Sequence, residues 1–217
     1  MLMKGNKFKY IIGIDEVGRG PIAGPVAVCA LAICRNLNSK NKTKCAMAHF
    51  RNFKDSKKLS HNQRLEWLEK INKEKEKGNI FYKVCFESNK VIDKKGIVFA
   101  ITLALNNSLR GLNVPNSQVG INPKDCLVLL DGGLRAPVEY KYQKTIIKGD
   151  EKELAIALAS IVAKVIRDAL MVKLVDKYPG YGLEKHKGYG TLAHYKAIKK
   201  YGLAAIHRKS FLKKIRA

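Results

Sequence analysis

Acidic side chains are scarce in this chain: 18 Asp and Glu stand against 42 Lys and Arg, a formal charge of +24 over 217 residues. That shortage leaves a field that attracts polyanions, of which nucleic acid is the commonest. An anionic membrane surface is the rival reading, and an AT-rich genome's preference for lysine is the bland one. No apolar run reaches the roughly 18 residues that a spanning helix needs, and nucleic acid rather than a membrane is the expected partner. The stretch Met1 to Lys9 has no uninterrupted apolar core ending in a cleavage site, and so no signal peptide is read there. The five cysteines, at 29, 34, 45, 85 and 126, form no C-x-x-C pair and have no histidine at zinc-ligand spacing. An odd number of cysteines in or beside apolar runs reads as reduced thiols used as small hydrophobes, which points to the cytoplasm. Internal repeats and interdomain linkers are also missing. With 46% hydrophobic residues, the chain can build one packed domain over residues 1–217.

What is present is an alternation of strand and helix signals. Residues 10–16 and 25–33 are short apolar runs parted by a Gly/Pro turn, as central strands covered on both faces would be. The polar, basic segment 34–58 reads as a loop or excursion. Ser60 is a candidate cap for a helix over about 61–77, with Leu65, Leu68 and Ile71 inward and Lys73 to Lys77 as a solvated face ended by Gly78. Residues 81–86 form a third strand. Residues 91–112 carry a helical stripe of Ile92, Ile97, Ala100, Ile101, Ala104, Leu105 and Leu109, closed by Gly111. A Pro/Asn-rich loop leads to a strand over 126–130, then a further strand over 140–147. Asp150 with Glu153 matches a capping box opening one long helix to about Tyr178, stopped by Pro179-Gly180. A short helix from Thr191 to about Tyr201 and a basic tail follow. The pattern is an α/β sheet domain with a helical C-terminal end.

Four acids stand out by context. Asp15 and Glu16 end the first strand, and adjacent strand side chains point to opposite faces. Gly18 and Gly20 suggest that the backbone turns there, letting Glu16 reach the same place from the side; a strand end entering solvent would leave the same trace. Asp131 closes an apolar strand before Gly132-Gly133, at the end of the sheet where open α/β folds bind ligands, although an ordinary Asp-Gly turn also fits. Asp168 continues the stripe Leu154, Leu158, Ile161, Val165 on the long helix, where a lone carboxylate would need a cation. The competing reading is an i,i+4 pair with Lys164. Four carboxylates would make an oxygen-rich site suited to Mg²⁺ or Mn²⁺. Two such ions serve in-line phosphodiester hydrolysis.

A second constellation is Gly18-Arg19-Gly20 with Tyr189. Glycines beside Arg19 let backbone groups approach a sugar, and the 2′-hydroxyl is what separates RNA from DNA at such a contact. Tyr189 offers a face for stacking, or else simply packs on the domain. Lys57 with Lys58, and Lys185 and Lys187 with His186, are candidate phosphate contacts or solvated side chains.

The segments Gly13 to Pro25, Asp55 to Ser60, Leu130 to Gly132, Ile147 to Asp150, Ala159 to Asp168, His186 to Thr191 and His207 to Phe211 resemble, in order, the ribonuclease HII family. The resemblance implies a ribonuclease H-like mixed sheet flanked by helices, with a helical C-terminal extension from about residue 179. It implies Mg²⁺- or Mn²⁺-dependent, two-metal hydrolysis of RNA in RNA–DNA hybrids. Nicks 5′ to single ribonucleotides in duplex DNA, leaving 3′-hydroxyl and 5′-phosphate ends, are implied as well. The family's metal-site acids carry over to Asp15, Glu16, Asp131 and Asp168. Its substrate motif falls on Gly18, Arg19 and Gly20, and its junction-sensing tyrosine on Tyr189. Lys57 lies in the matching Asp55 to Ser60 segment. Arg19, where the sister HIII type usually has lysine, favours HII. The expected partners are RNA–DNA hybrid and ribonucleotide-containing duplex, met by a monomer. The alternatives are a non-catalytic nucleic-acid-binding protein or another two-metal nuclease on the same fold. Segment 34–53 is longer and more basic than the family usually has.

Overall fold

The computed structural model describes residues 8–35, 50, 59–112 and 121–213. Five strands form one mixed sheet: β1 (Tyr10–Val17), β2 (Val26–Cys34), β3 (Ile80–Glu87), β4 (Cys126–Asp131) and β5 (Gln143–Ile146). Their order is β3-β2-β1-β4-β5. β1, β2 and β3 are antiparallel neighbours, while β4 and β5 run parallel to β1. Five central residues on β1 and β2 alternate cleanly between faces. Ile12, Ile14 and Val28 join one core with Val128 and Leu130; Cys29 and Leu31 join the other. Burial on both faces explains why these strands read as continuous apolar runs.

Helix α1 (His61–Glu76) begins with the expected Ser60 cap as a full capping box. The Ser60 hydroxyl accepts the Gln63 N–H, and the Gln63 side chain accepts the Ser60 N–H. Two expectations about its faces fail. Leu65 is exposed. Glu74, assigned to the solvated run, is buried and accepts from Lys77 and Asn79 at 2.8 Å each. The stripe over 91–112 belongs to two helices, α2 (Asn89–Lys95) and α3 (Ile97–Leu112), because Gly96 takes φ 85 and ends the first. Gly111 lies inside α3 rather than closing it.

The long helix is also broken. A short α4 (Gly149–Lys152) precedes α5 (Leu154–Lys173), and Glu153 between them is extended with no side-chain cap bond. The Asp150–Glu153 capping box therefore does not form. Past Lys173 only isolated turns continue, such as Tyr178 N–H to Leu174 C=O at 3.0 Å. The expected strand over 140–147 shrinks to β5, since Tyr140 closes a turn on Pro137. α1 and α5 cover one sheet face, and α3 covers the other. α6 (Leu183–His186), α7 (Leu192–Tyr201) and the segment after them form a C-terminal unit on its own core of Ile22, Met171, Tyr181, Leu183, Ile198 and Ile206. No helix among the described residues is long and apolar enough to cross a membrane. Cys29, Cys85 and Cys126 are free thiols. Lys57 and most of the basic segment lie outside the described residues.

Candidate active site

β1 does not turn at its acids. It stays paired through Val17, with Asp15 opposite Cys29 and Glu16 opposite Val28, and the bend waits for Gly18 at φ 87. Strand alternation therefore starts the two side chains on opposite faces, yet at the strand's end both carboxylates lie within reach of Asp131's charge. Asp15 shares its face with Gly13, under α5. Its Oδ1 accepts the Glu16 N–H at 2.9 Å, and Ser160 on α5 hydrogen-bonds its side chain. The parallel register pairs Ile14 with Leu130, so Asp15 and Asp131 come next on adjacent strands at the same end of the sheet.

The electrostatics show which acids share one neighbourhood. Burial pushes Asp15 up to about 7; Ser160 opposes that rise, and the charges of Glu16, Asp131 and Asp150 add to it. Glu16 is also raised by burial, opposed by Arg19 and reinforced by Asp131. A buried carboxylate crowded by three others is short of positive charge. Asp150 is the acid that sequence reasoning missed. It is buried in α4, because Lys148 adopts a left-handed conformation that turns the chain back toward the sheet. Gly149 makes that approach possible: a Cβ there would lie 2.5 Å from Ile156 Cδ1. Its N–H donates to Asp131 Oδ1 at 2.7 Å, which ties α4 to the end of β4.

Asp168 is buried on the expected stripe of α5, but it has its own cation. Lys164 Nζ lies 2.9 Å from its Oδ1. The i,i+4 pairing that competed with a metal role is thus what the structure contains. Among the described residues no three His, Cys, Asp or Glu side chains are gathered closely enough to hold a metal ion as they stand. Glu16 leans on Arg19 at 3.6 Å, and Asp131 engages Gly149. The chemistry of the set around Asp15 nevertheless fits a hard divalent cation: the donors are all oxygen and mutually repelling, with Asp15 and Asp150 buried and Glu16 and Asp131 half-buried.

The second constellation does assemble. A Cβ on Gly20 would sit 3.8 Å from Tyr189 Cε1, so the tyrosine ring lies against the Gly18–Gly20 loop. Tyr189 is 41% exposed, with Lys164 Nζ 6.0 Å from its ring centre. The loop before it is laced to the segment after Gly20, since Gly188 C=O accepts from the N–H groups of Ile22 and Ala23. His186 is not free to meet a phosphate. Its Nε2 meets Tyr181 C=O at 2.8 Å, and its Nδ1 accepts the Gly188 N–H. Lys187 donates to Glu184 C=O within its own turn; Lys185 is exposed.

A histidine chain supports the tyrosine, and its donors can be assigned by elimination. His194 Nδ1 faces Tyr189 C=O at 2.9 Å and must donate, which leaves its Nε2 as acceptor. His207 Nε2, 3.1 Å away, then donates, and its Nδ1 accepts the Ala204 N–H at 2.9 Å. Sequence periodicity has no means of showing such a chain.

Comparison with known proteins agrees with this architecture. The Ribonuclease HII family model matches residues 12–214. A ribonuclease HII of Clostridium beijerinckii is 42% identical over 96% of this chain and 69% of its own length. One from Caldicellulosiruptor bescii is 40% identical over 96% of this chain and 89% of its own. The ribonuclease H2 structure from Pyrococcus horikoshii OT3 shares the fold at TM-score 0.65 with 23% identity, covering 95% of this chain and 96% of that one. On the strength of the family match and of relatives at this identity over nearly its whole length, the chain belongs to the ribonuclease HII family.

Proposed function

We propose that this chain is an endonuclease that hydrolyses the RNA strand of RNA–DNA hybrids and nicks duplex DNA 5′ to single embedded ribonucleotides. The observation that carries the reading is a juxtaposition at one end of the sheet. Asp15, held at about 7 by burial among Glu16, Asp131 and Asp150, lies three residues from a Gly-Arg-Gly loop that touches Tyr189. The acids suit a cation-dependent cut, and the loop and ring suit a contact to one sugar. The charge of +24 supplies the attraction for the duplex as a whole.

Asp15, Glu16, Asp131 and Asp150 would hold Mg²⁺ or Mn²⁺ as a two-ion site. Bound there, such ions would supply the activation of water and the charge neutralisation at the leaving 3′-oxygen that a cut giving 3′-hydroxyl and 5′-phosphate ends needs. Asp168 serves instead to hold Lys164 beside Tyr189. Gly18, Arg19 and Gly20 read the 2′-hydroxyl, Tyr189 stacks at the junction, and Lys57 contacts a phosphate. Residues 1–217 act as one catalytic domain and as a monomer, and the free thiols suit a reducing cytoplasm.

The test is a duplex carrying one ribonucleotide, incubated with Mg²⁺ with and without chelator. A single nick 5′ to the ribonucleotide, lost on chelation, is expected. No nick, or equal nicking of all-DNA duplex, would sink the proposal.

A further inference from the structure

Two fully buried arginines lie behind the Gly18–Gly20 loop, and the activity described above uses neither. Arg208 donates to three main-chain carbonyls: Nη2 to Gly18 at 2.7 Å, Nη1 to Arg19 at 3.0 Å and Nε to Gly24 at 2.9 Å. Arg167, on α5, donates from Nε to Pro25 C=O at 3.0 Å and from Nη1 to Lys187 C=O at 3.2 Å. Gly18 has to be glycine for this arrangement, since a Cβ there would lie 2.1 Å from Arg167 Nε. Among the described residues, neither guanidinium has a carboxylate within ion-pair distance. Burial lowers the pKa of both, and Arg208 falls to about 9 with Arg167 adding to the effect.

Placing two uncompensated cations in the interior is expensive, and the geometry shows what they accomplish. All peptide bonds of the described chain are trans, and in a trans peptide the C=O and the following N–H point in opposite directions. Drawing the Gly18 carbonyl inward therefore turns the Arg19 N–H outward. Drawing the Arg19 carbonyl inward turns out the Gly20 N–H. Both residues are exposed, and Gly20 faces Tyr189. Arg208 is itself fixed from behind. Asp93 on α2 accepts from the Lys209 and Ser210 N–H groups at 3.0 and 2.8 Å, and Asn89 donates to the carbonyls of Ala205 and His207.

We propose that Arg208, seconded by Arg167, is a positioning residue for substrate selection: by holding the Gly18 and Arg19 carbonyls it aims the Arg19 and Gly20 amides at the ribose. The inference rests on the reading of Gly18–Gly20 as the sugar contact. Lysine can replace the charge but cannot hold three carbonyls in a fixed fork, so Arg208→Lys separates position from charge.

The experiment measures dissociation constants in chelator for a duplex with one ribonucleotide and for its all-DNA counterpart, with wild type, Arg208→Lys and Arg208→Gln. Both variants are expected to lose at least fivefold of the wild-type preference for the ribonucleotide duplex. Arg208→Lys should keep the wild-type affinity for all-DNA duplex and its salt dependence. Retained preference in Arg208→Lys would overturn the proposal and leave Arg208 a charge alone. Equal weakening of both duplexes would overturn it in favour of a purely structural role. A wild type that shows no preference at all would refute the underlying reading of the loop instead. If the Arg208 variants do not fold, Arg167→Lys provides the same comparison, with a smaller expected loss; full retention there overturns the proposal.

Discussion

Replacing Gly13 by alanine should destabilise the fold through a single methyl group. Gly13 sits mid-strand in β1, on the face that meets α5, and a Cβ there would lie 2.1 Å from both C and O of Ala155 and 2.4 Å from Ile156 N. Ordinary contacts between such atoms begin near 3.5 Å, so the start of α5 would have to retreat by roughly 1.4 Å. The obstacle is backbone with no rotamer to change. Behind it, Ala155, Leu158, Ala159 and Val162 are packed with almost no exposure. Overpacking a well-filled core costs about 1–3 kcal/mol, and a collision with helix backbone belongs at the upper end. For a chain of this size about 3 kcal/mol lowers Tm by roughly 6–12 °C. The damage should also reach the chemistry, because Ser160 on α5 hydrogen-bonds Asp15 and α4 carries Asp150 just ahead of the displaced turn. Gly133→Ala is the matched control: nothing lies within 4 Å of its added Cβ, and stability should stay within about 0.5 kcal/mol of wild type. Thermal and urea melts followed by circular dichroism read both. A Gly13→Ala Tm within 2 °C of wild type would refute the packing argument.

Three further outcomes can be checked. Asp131→Asn and Asp150→Asn should abolish nicking while leaving hybrid binding largely intact, whereas Asp168→Asn should keep measurable Mg²⁺-dependent cleavage; dead Asp168→Asn with active Asp150→Asn would reverse the two assignments. Tyr189→Ala should reduce cleavage at a single-ribonucleotide junction by at least tenfold, and equal rates on junction substrate would return the ring to a packing role. The buried histidines predict acid sensitivity. Burial holds His194 down at about 4 and His207 below its usual value, so the unfolded chain takes up protons first as pH falls through 6.5. The stability they contribute is full above about 6.5 and is lost toward 4, by up to about 3 kcal/mol for His194. Asp15, raised to about 7, acts with opposite sign as pH falls, so the comparison has to be made between wild type and His194→Asn. Urea midpoints from pH 7.5 to 4.5 should fall more steeply for wild type, and parallel curves would contradict the assignment.

That Asp15, Glu16 and Asp131 come together at one end of the sheet was legible because an acid ending an apolar run is conspicuous. Asp150 was hidden by a better-known pattern, since Asp150 and Glu153 have the spacing of a capping box. The deciding event is the left-handed turn at Lys148, which no propensity predicts for lysine. Asp168 lies on the buried stripe as its spacing predicts, and of the two readings its spacing allowed the structure contains the pair with Lys164. Gly96 is a break that the sequence displayed openly, but the apolar spacing continues across it into α3. Arg167 and Arg208 were illegible for a different reason. In a chain with 42 basic residues, nothing local separates a guanidinium that will be buried against carbonyls from one that stays in water.

The site is held from the far end of the chain. Gly18 and Arg19 depend on Arg208, nearly two hundred residues later; Asp131 depends on Gly149; the Tyr189 carbonyl depends on His194, which depends on His207. Loop closure over the separation between Arg208 and the Gly18–Arg19 carbonyls is unfavourable by itself, so that contact depends on the sheet and α5 bringing its partners close. A loop held in this way can be rigid without being stable alone, and rigidity is what the proposed distinction of one hydroxyl from its absence requires. The cutting acids need less of this. Asp15, Glu16 and Asp131 sit on strand ends fixed by the sheet ladder and Asp150 on the short α4, and their mutual repulsion argues for a looser arrangement that closes when positive charge arrives. Substitutions in the 204–210 segment should therefore alter which duplex is chosen more than how fast it is cut.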